Sequence, residues 1–406
     1  MEESIKWIAN RWAKRQPNIK KEELNFLGGN AASATRKFIK SFPQYKVTPL
    51  RKLSRLAEFT GVSGIYVKDE SYRFGLNSFK VLGGGHAIGR YLAGSLGEDQ
   101  FDFTYEKLKS PAVKEKLGEI TFTSATDGNH GRGVAWAARQ LGHKAVINMP
   151  KGSSKIRLEH ITATGAEGQI TDVNYDDTVR LTADNARQKG WVVIQDTAWE
   201  GYEDIPNWVM QGYTVMADEA LEQLNAAGID KPTHIFIQAG VGSLAGAVLG
   251  YFASRFYDHR PVTVVVEPNK ADCFYRSALS GDGQPVNVTG DLDTIMAGLA
   301  CGEPNPFAWG VLKEMAEIFI SCPDYIAANG MRILGNPLED DARIISGESG
   351  AVTAGMLVEI LKNESLKDLR EQLKLDNKAK ILLFSTEGDT DPEMYRRIVW
   401  GGEYTN

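Results

Sequence analysis

Cysteine and histidine are scarce in this chain, with 3 and 6 among 406 residues. Cys273, Cys301 and Cys322 are too few and too widely spaced for a disulfide framework or a cysteine metal cage, which leaves room for one bridge at most. His86, His130, His143, His160, His234 and His259 show no local ligand spacing, so no metal centre is expected. No apolar run approaches the roughly 20 residues needed to cross a bilayer. The opening Met1-Glu2-Glu3-Ser4 lacks the basic start and apolar core of a signal peptide. A cytoplasmic protein without a membrane partner is expected. Internal repeats and low-complexity tracts are also missing.

Charge of one sign is missing too, except locally. Residues 1–60 carry 13 Lys and Arg against 5 Asp and Glu, and the rest of the chain carries 33 against 47. The basic start is interrupted by Trp7, Trp12, Phe26, Leu27 and Phe38, and no zinc spacing or recognition helix follows, so nucleic acid is not an expected partner. Glycine, in contrast, is abundant. Its 41 residues are about 10% of the chain, against roughly 7% in average proteins, which points to tight turns and to backbone passing close to ligands. The 42% hydrophobic fraction and the length fit a globular protein of two or three domains.

From about residue 118 short β-branched runs alternate with amphipathic stretches of helical length, the pattern of βαβ units. Strands are read at 120–123, 144–149, near 169–170 and at 191–195, with helices over 131–141, 153–164, 176–189 and 208–227. Gly228 reads as a C-cap and connector. A second series starts with the strand 234–238, followed by a glycine-rich turn, a helix over 244–256 and the strand Val262-Thr263-Val264-Val265-Val266. The last strand is 380–384. The expected fold class is α/β, with two open, mostly parallel sheets and ligands beyond the strands' carboxyl ends.

Four segments hold the chemistry. In Ser78-Phe79-Lys80 a lysine opens a helix whose first turns contain Gly83-Gly84-Gly85. Three glycines weaken a helix, so close packing or a ligand is the better reason for them. The helix dipole disfavours a cation there and would help keep the Lys80 amine neutral and nucleophilic. Gly240-Val241-Gly242-Ser243-Leu244-Ala245-Gly246 follows a strand and opens a helix, the setting in which amides and dipole hold a phosphate. Its GxGxxxG spacing imitates a dinucleotide fingerprint, with Glu267 as a possible ribose contact, so a nicotinamide-dependent dehydrogenase is one alternative. Ser124-Ala125-Thr126-Asp127-Gly128-Asn129-His130 also follows a strand and starts a helix, and could receive a substrate carboxylate; Asp127 reads equally as an N-cap. Phe384-Ser385-Thr386 places hydroxyls after the final strand.

Together these segments resemble the fold-type II (tryptophan synthase β-like) pyridoxal-phosphate enzymes, over about 42–400. The resemblance implies that Lys80 carries the cofactor as a Schiff base with Phe79 beside it. It also implies that Asn129 contacts the ring hydroxyl, that Gly240, Val241, Gly242, Ser243, Leu244 and Gly246 hold the phosphate, and that Ser385, with Thr386 as second choice, meets the pyridine nitrogen. Ser124, Ala125, Thr126, Asp127 and His130 would form the substrate loop. The implied division is a large cofactor-binding domain of 1–92 and 228–406 and a small domain of 93–227, in a homodimer.

Asp127 stands where dehydratases of the family carry serine, and a carboxylate there suits a second ammonium on the substrate. Gln195-Asp196-Thr197-Ala198-Trp199-Glu200-Gly201-Tyr202 resembles the ammonia-lyase group of the family, and Asp196 is either a second catalytic carboxylate or a turn former. The implied activity is α,β-elimination on 2,3-diaminopropionate of either hand, giving pyruvate and two ammonia, with Lys80 as base for the L form and Asp127 for the D form. The alternatives are a serine/threonine dehydratase or a β-replacement enzyme of the same fold.

Overall fold

A computed structural model describes residues 4–14, 17–98, 102–126 and 128–405. The chain forms two units, one of Met1–Asn25, Thr48–Tyr72 and Met216–Asn406, the other of Phe26–Val47 and Arg73–Val215.

The first unit is built on a seven-stranded sheet of β1 (Lys6–Ala9), β2 (Leu50–Lys52), β3 (Gly64–Asp69), β8 (His234–Gln238), β9 (Val262–Pro268), β10 (Ile318–Cys322) and β11 (Lys380–Ser385), in the order β1-β10-β9-β8-β11-β3-β2. The central strands run parallel, and only the edge strands β1 and β2 pair antiparallel. Strands β3, β8 and β10 are buried along their whole length. Helices therefore cover both faces, which explains why the sequence reads as unbroken apolar runs instead of alternation. Phe236, Val264, Ile320, Ile381 and Leu383 form part of the core beneath Val352, Met356 and Ile360 of the helix Glu348–Lys362. Because β8 and β11 are hydrogen-bonded neighbours, the glycine turn after β8 and Ser385 at the end of β11 leave the sheet at the same end.

The second unit carries four parallel strands, β4 (Thr121–Ala125), β5 (Lys144–Met149), β6 (Glu167–Ile170) and β7 (Val192–Val193), in the order β6-β5-β4-β7. Strand β7 lies beside β4, so the segment containing Asp196 emerges next to the loop that follows β4.

The division differs from the one expected from sequence. Residues 26–47 and 73–92 fall in the second unit; for the latter the helix Val81–Leu96 packs on the helix Asn129–Gln140, where a Cβ on Gly133 would lie 2.8 Å from the Val81 backbone, and one on Gly84 3.0 Å from Val134. The boundary near Gly228 also moves, into the helix Asp204–Ala226 between Val215 and Met216. A continuous helix has no composition break to mark such a boundary.

Candidate active site

Lys80 is the N-cap residue of the Val81–Leu96 helix, reached through a turn in which Phe74 and Asn77 take positive φ of 51° and 58°. Its Nζ lies 2.6 Å from Oδ2 of Asp196, and the two side chains are only 17% and 6% exposed. Burial alone would push the Asp196 carboxyl up. The Lys80 ammonium and, less strongly, His130 pull it the other way and hold it at about 2. The helix dipole was expected to favour a neutral Lys80 amine. The structure instead opposes the dipole with a carboxylate at contact distance, and Asp196 is an ion-pair partner of the lysine, not a turn former.

Several groups fix Asp196. His130, buried at the start of its helix, donates Nε2–H to the Ile194 carbonyl at 2.8 Å and turns Nδ1 toward Asp196 Oδ2 at 4.0 Å. Gln195 accepts from the Ser124 hydroxyl at 3.0 Å and the Ala125 amide at 3.1 Å, and donates to the Tyr175 hydroxyl at 2.8 Å. Tyr202 binds the Gln195 amide and the Val193 carbonyl. The end of β4 and the Asp196 segment are thus tied together through one glutamine.

In the substrate loop, Ser124, Ala125 and Thr126 are buried, and the Thr126 hydroxyl accepts from the amides of Gly128 and Gly131 at 3.0 and 3.1 Å. The Thr126 hydroxyl thus braces the loop internally. Asn129 is the first residue of the helix that follows. Asp127 lies outside the described residues.

In the other unit, the turn after β8 opens the helix Ser243–Phe256 with Gly242 as N-cap at φ 88° and no capping side chain. A Cβ on Gly242 would sit 2.3 Å from the Phe274 ring, and one on Gly240 3.1 Å from the Gly298 carbonyl. Ser243 Oγ accepts from Asn305 Nδ2 at 3.0 Å, and Val241, Leu244 and Gly246 complete the turn. A glycine cradle whose helix start is left uncapped suits a phosphate. Beyond β11, the Ser385 hydroxyl donates to Ser346 Oγ at 2.9 Å, whereas Thr386 Oγ1 accepts from Gln238 Nε2 at 2.9 Å. Accepting from the amide leaves the Thr386 proton available for a ring nitrogen, which favours Thr386 over Ser385 for that contact.

Glu267 is fully buried and its carboxylate accepts from the amides of Phe274 and Tyr275 at 2.8 and 2.7 Å, capping the helix Cys273–Ser280. It is committed there and cannot serve a ribose. Cys273, Cys301 and Cys322 form no disulfide with one another. Among the described residues no group of three or more metal-ligating side chains is assembled, and no helix is long and apolar enough to cross a membrane.

Sequence reasoning missed Tyr213 and Gln238. Tyr213 is fully buried beside Lys80, its ring centroid 4.7 Å from that of Phe79 and 6.0 Å from Lys80 Nζ. The signal for it was Gly83, where a Cβ would come within 2.5 Å of the Tyr213 ring.

A buried lysine held by a carboxylate in one unit, and a glycine turn and a hydroxyl after neighbouring strands in the other, are the kinds of group that pyridoxal-phosphate chemistry uses. The family model for pyridoxal-phosphate-dependent enzymes matches residues 42–386. A diaminopropionate ammonia-lyase of Salmonella typhimurium is 53% identical over 380 residues, 93% of this chain and 94% of that protein. The holo crystal structure of the Escherichia coli diaminopropionate ammonia lyase superposes with a TM-score of 0.92 at 48% identity, covering 100% of this chain and 99% of that one. The same Escherichia coli enzyme in complex with D-serine gives 0.91 at 48% identity, covering 99% and 98%. The chain belongs to the pyridoxal-phosphate-dependent enzymes, and within them to the diaminopropionate ammonia-lyase family.

Proposed function

We propose that the protein eliminates ammonia from 2,3-diaminopropionate. One water is consumed, and one pyruvate and two ammonia are released. The observation that carries this reading is the buried Lys80–Asp196 pair at 2.6 Å, together with relatives of that name over more than nine-tenths of the chain. Pyridoxal phosphate, when bound, supplies the electron sink that makes the Cα proton acidic.

The residues fit that group. The glycines of the 240–246 turn leave the start of the Ser243–Phe256 helix open and would hold the phosphate, Asn129 would contact the ring hydroxyl, and Thr386 or Ser385 the ring nitrogen. Lys80 is the base for the L substrate: its amine takes the Cα proton, and as an ammonium it is returned to Asp196. Asp127 is the base for the D substrate and the contact for the substrate's side-chain ammonium. The 124–130 loop, braced by Gln195, receives the carboxylate. Loss of the β-amine leaves a three-carbon enamine whose hydrolysis gives pyruvate and the second ammonia.

We further propose a cytoplasmic location, supported by few cysteines and no disulfide among them, and a homodimer, which size-exclusion chromatography with light scattering tests. The decisive test of function is a panel of D- and L-2,3-diaminopropionate, serine and threonine with pyruvate and ammonia measured together. Two ammonia per pyruvate are expected from the diamino acid. One ammonia per oxoacid, obtained from serine or threonine only, would make the protein a dehydratase. Asp127→Asn is expected to suppress D turnover far more than L turnover, and equal losses would remove the assignment of two bases.

A further inference from the structure

The Tyr213 hydroxyl is fully buried and has no hydrogen-bond partner among the described residues. An unsatisfied buried hydroxyl is destabilising, so a group at this position is expected to find a partner in the working protein. Burial pushes the phenol well above its ordinary range, with Lys80 as the principal opposing influence, so it stays a neutral O–H. The Lys80 amine sits 6.0 Å from the Tyr213 ring centroid and 5.6 Å from that of Phe79, beside two rings whose own centroids are 4.7 Å apart.

The backbone is shaped to allow this. Gly83 and Gly212 meet where their helices cross: a Cβ on Gly212 would lie 2.2 Å from the Leu82 carbonyl oxygen, and one on Gly83 2.5 Å from Tyr213 Cε1 and 2.7 Å from Val209. Only with both side chains missing does the tyrosine next to Gly212 come level with Lys80.

We propose that Tyr213 is a positioning residue for Lys80, its phenol oxygen accepting a second N–H of the ammonium that Asp196 holds. An ammonium has three N–H donors and Asp196 Oδ2 takes one at 2.6 Å. A second acceptor at a fixed angle fixes the orientation of the ammonium about its Cε–Nζ bond, and with it the direction of the lone pair once a proton is given up. Tyr213 would act on the reaction only through the Lys80 amine. The inference rests on Lys80 being the reactive lysine.

The experiment uses the full-length protein stripped of cofactor and reads the pH midpoint for reductive methylation of Lys80, by peptide mass mapping. Tyr213→Phe keeps the ring against Phe79 and removes only the oxygen. Its midpoint is expected to fall by about one pH unit, a roughly tenfold loss of proton affinity, and kcat on the diamino acid to fall with KM changed less than kcat. Gly83→Ala, which displaces the ring with the hydroxyl intact, reads the same midpoint should the first variant not fold. A midpoint equal to wild type overturns the proposal. Borohydride reduction of the wild-type holoprotein, locating the reduced cofactor on or away from Lys80, tests the underlying reading separately.

Discussion

Replacing Asp196 by Asn removes one charge from a buried pair and keeps its shape. The size of the effect can be bracketed. Asp196 is drawn from the ordinary 3.8 to about 2, roughly two units or ~2–3 kcal/mol. That displacement is net of burial, which works against it. A direct Coulomb estimate at the 2.6 Å separation, with an effective dielectric near 20, gives about 6 kcal/mol. Coupling between two titrating groups is reciprocal, so what stabilises the carboxylate stabilises the ammonium equally. In Asp196→Asn the proton affinity of Lys80 is therefore expected to drop by about two pH units or more. The assay is the methylation midpoint of Lys80 in cofactor-free protein, with a surface lysine such as Lys37, 64% exposed, as internal reference. Turnover should fall as well, because a lysine that reaches neutrality too easily is a weaker base. A Lys80 midpoint shifted by less than about half a unit would refute the reasoning, since the pair could not then exist in solution.

Gly242→Ala forces a side chain onto φ 88° and against Phe274, so cofactor affinity measured by fluorescence titration should fall at least about tenfold with little change in far-UV circular dichroism. His86 is buried neutral, its pKa lowered to about 3 by burial and the Arg90 charge. The unfolded chain takes up that proton near pH 6.5 and the native protein does not, so this stability is complete above about 6.5 and is lost as pH falls toward 3. Between about pH 7 and 5 the wild type should lose roughly 2 kcal/mol more in urea unfolding than His86→Gln. Gly212→Ala meets the Leu82 carbonyl and should destabilise, whereas Gly94→Ala, with nothing within 4 Å, should be neutral or stabilise by roughly 0.5–1 kcal/mol in thermal unfolding.

The α/β class, most of the parallel strands and the turns that follow them were legible because each is local; β10, Ile318–Cys322, was hidden because its start runs on from the helical stretch before it. A β-branched run followed by glycines and a helical stretch determines its own structure. The helix read over 244–256 begins one residue earlier, and β7 proved to be two residues within the run read as a strand over 191–195. Asp196 was legible as a candidate, but its pairing with Lys80 spans 116 positions of chain, and no local pattern encodes that. Tyr213 lies in the middle of a long helix whose apolar residues look like any packed face. Glu267 shows the opposite error: an acid at the right spacing was committed to capping the next helix, which only the fold reveals. The three glycines at 83–85 were read as a sign of packing or of a ligand. The structure answers with packing at Gly83 and Gly84, against Tyr213 and Val134.

That packing is how the reactive group is placed. A lysine side chain is long and flexible, and holding it at one point costs conformational entropy. A lone carboxylate would fix the amine in distance but not in direction. Here Asp196 supplies the distance, and it is held by a segment that His130 and Gln195 tie to the neighbouring strand. Direction must come from a group on another element, and the helix that carries Tyr213 can reach Lys80 only because Gly83 and Gly212 let the two backbones touch. Adding a methyl group to either glycine leaves both side chains of the Lys80–Asp196 pair intact and shifts the helix that carries Tyr213. The geometry of the amine is therefore encoded as much in residues with no side chain as in those that carry the charge.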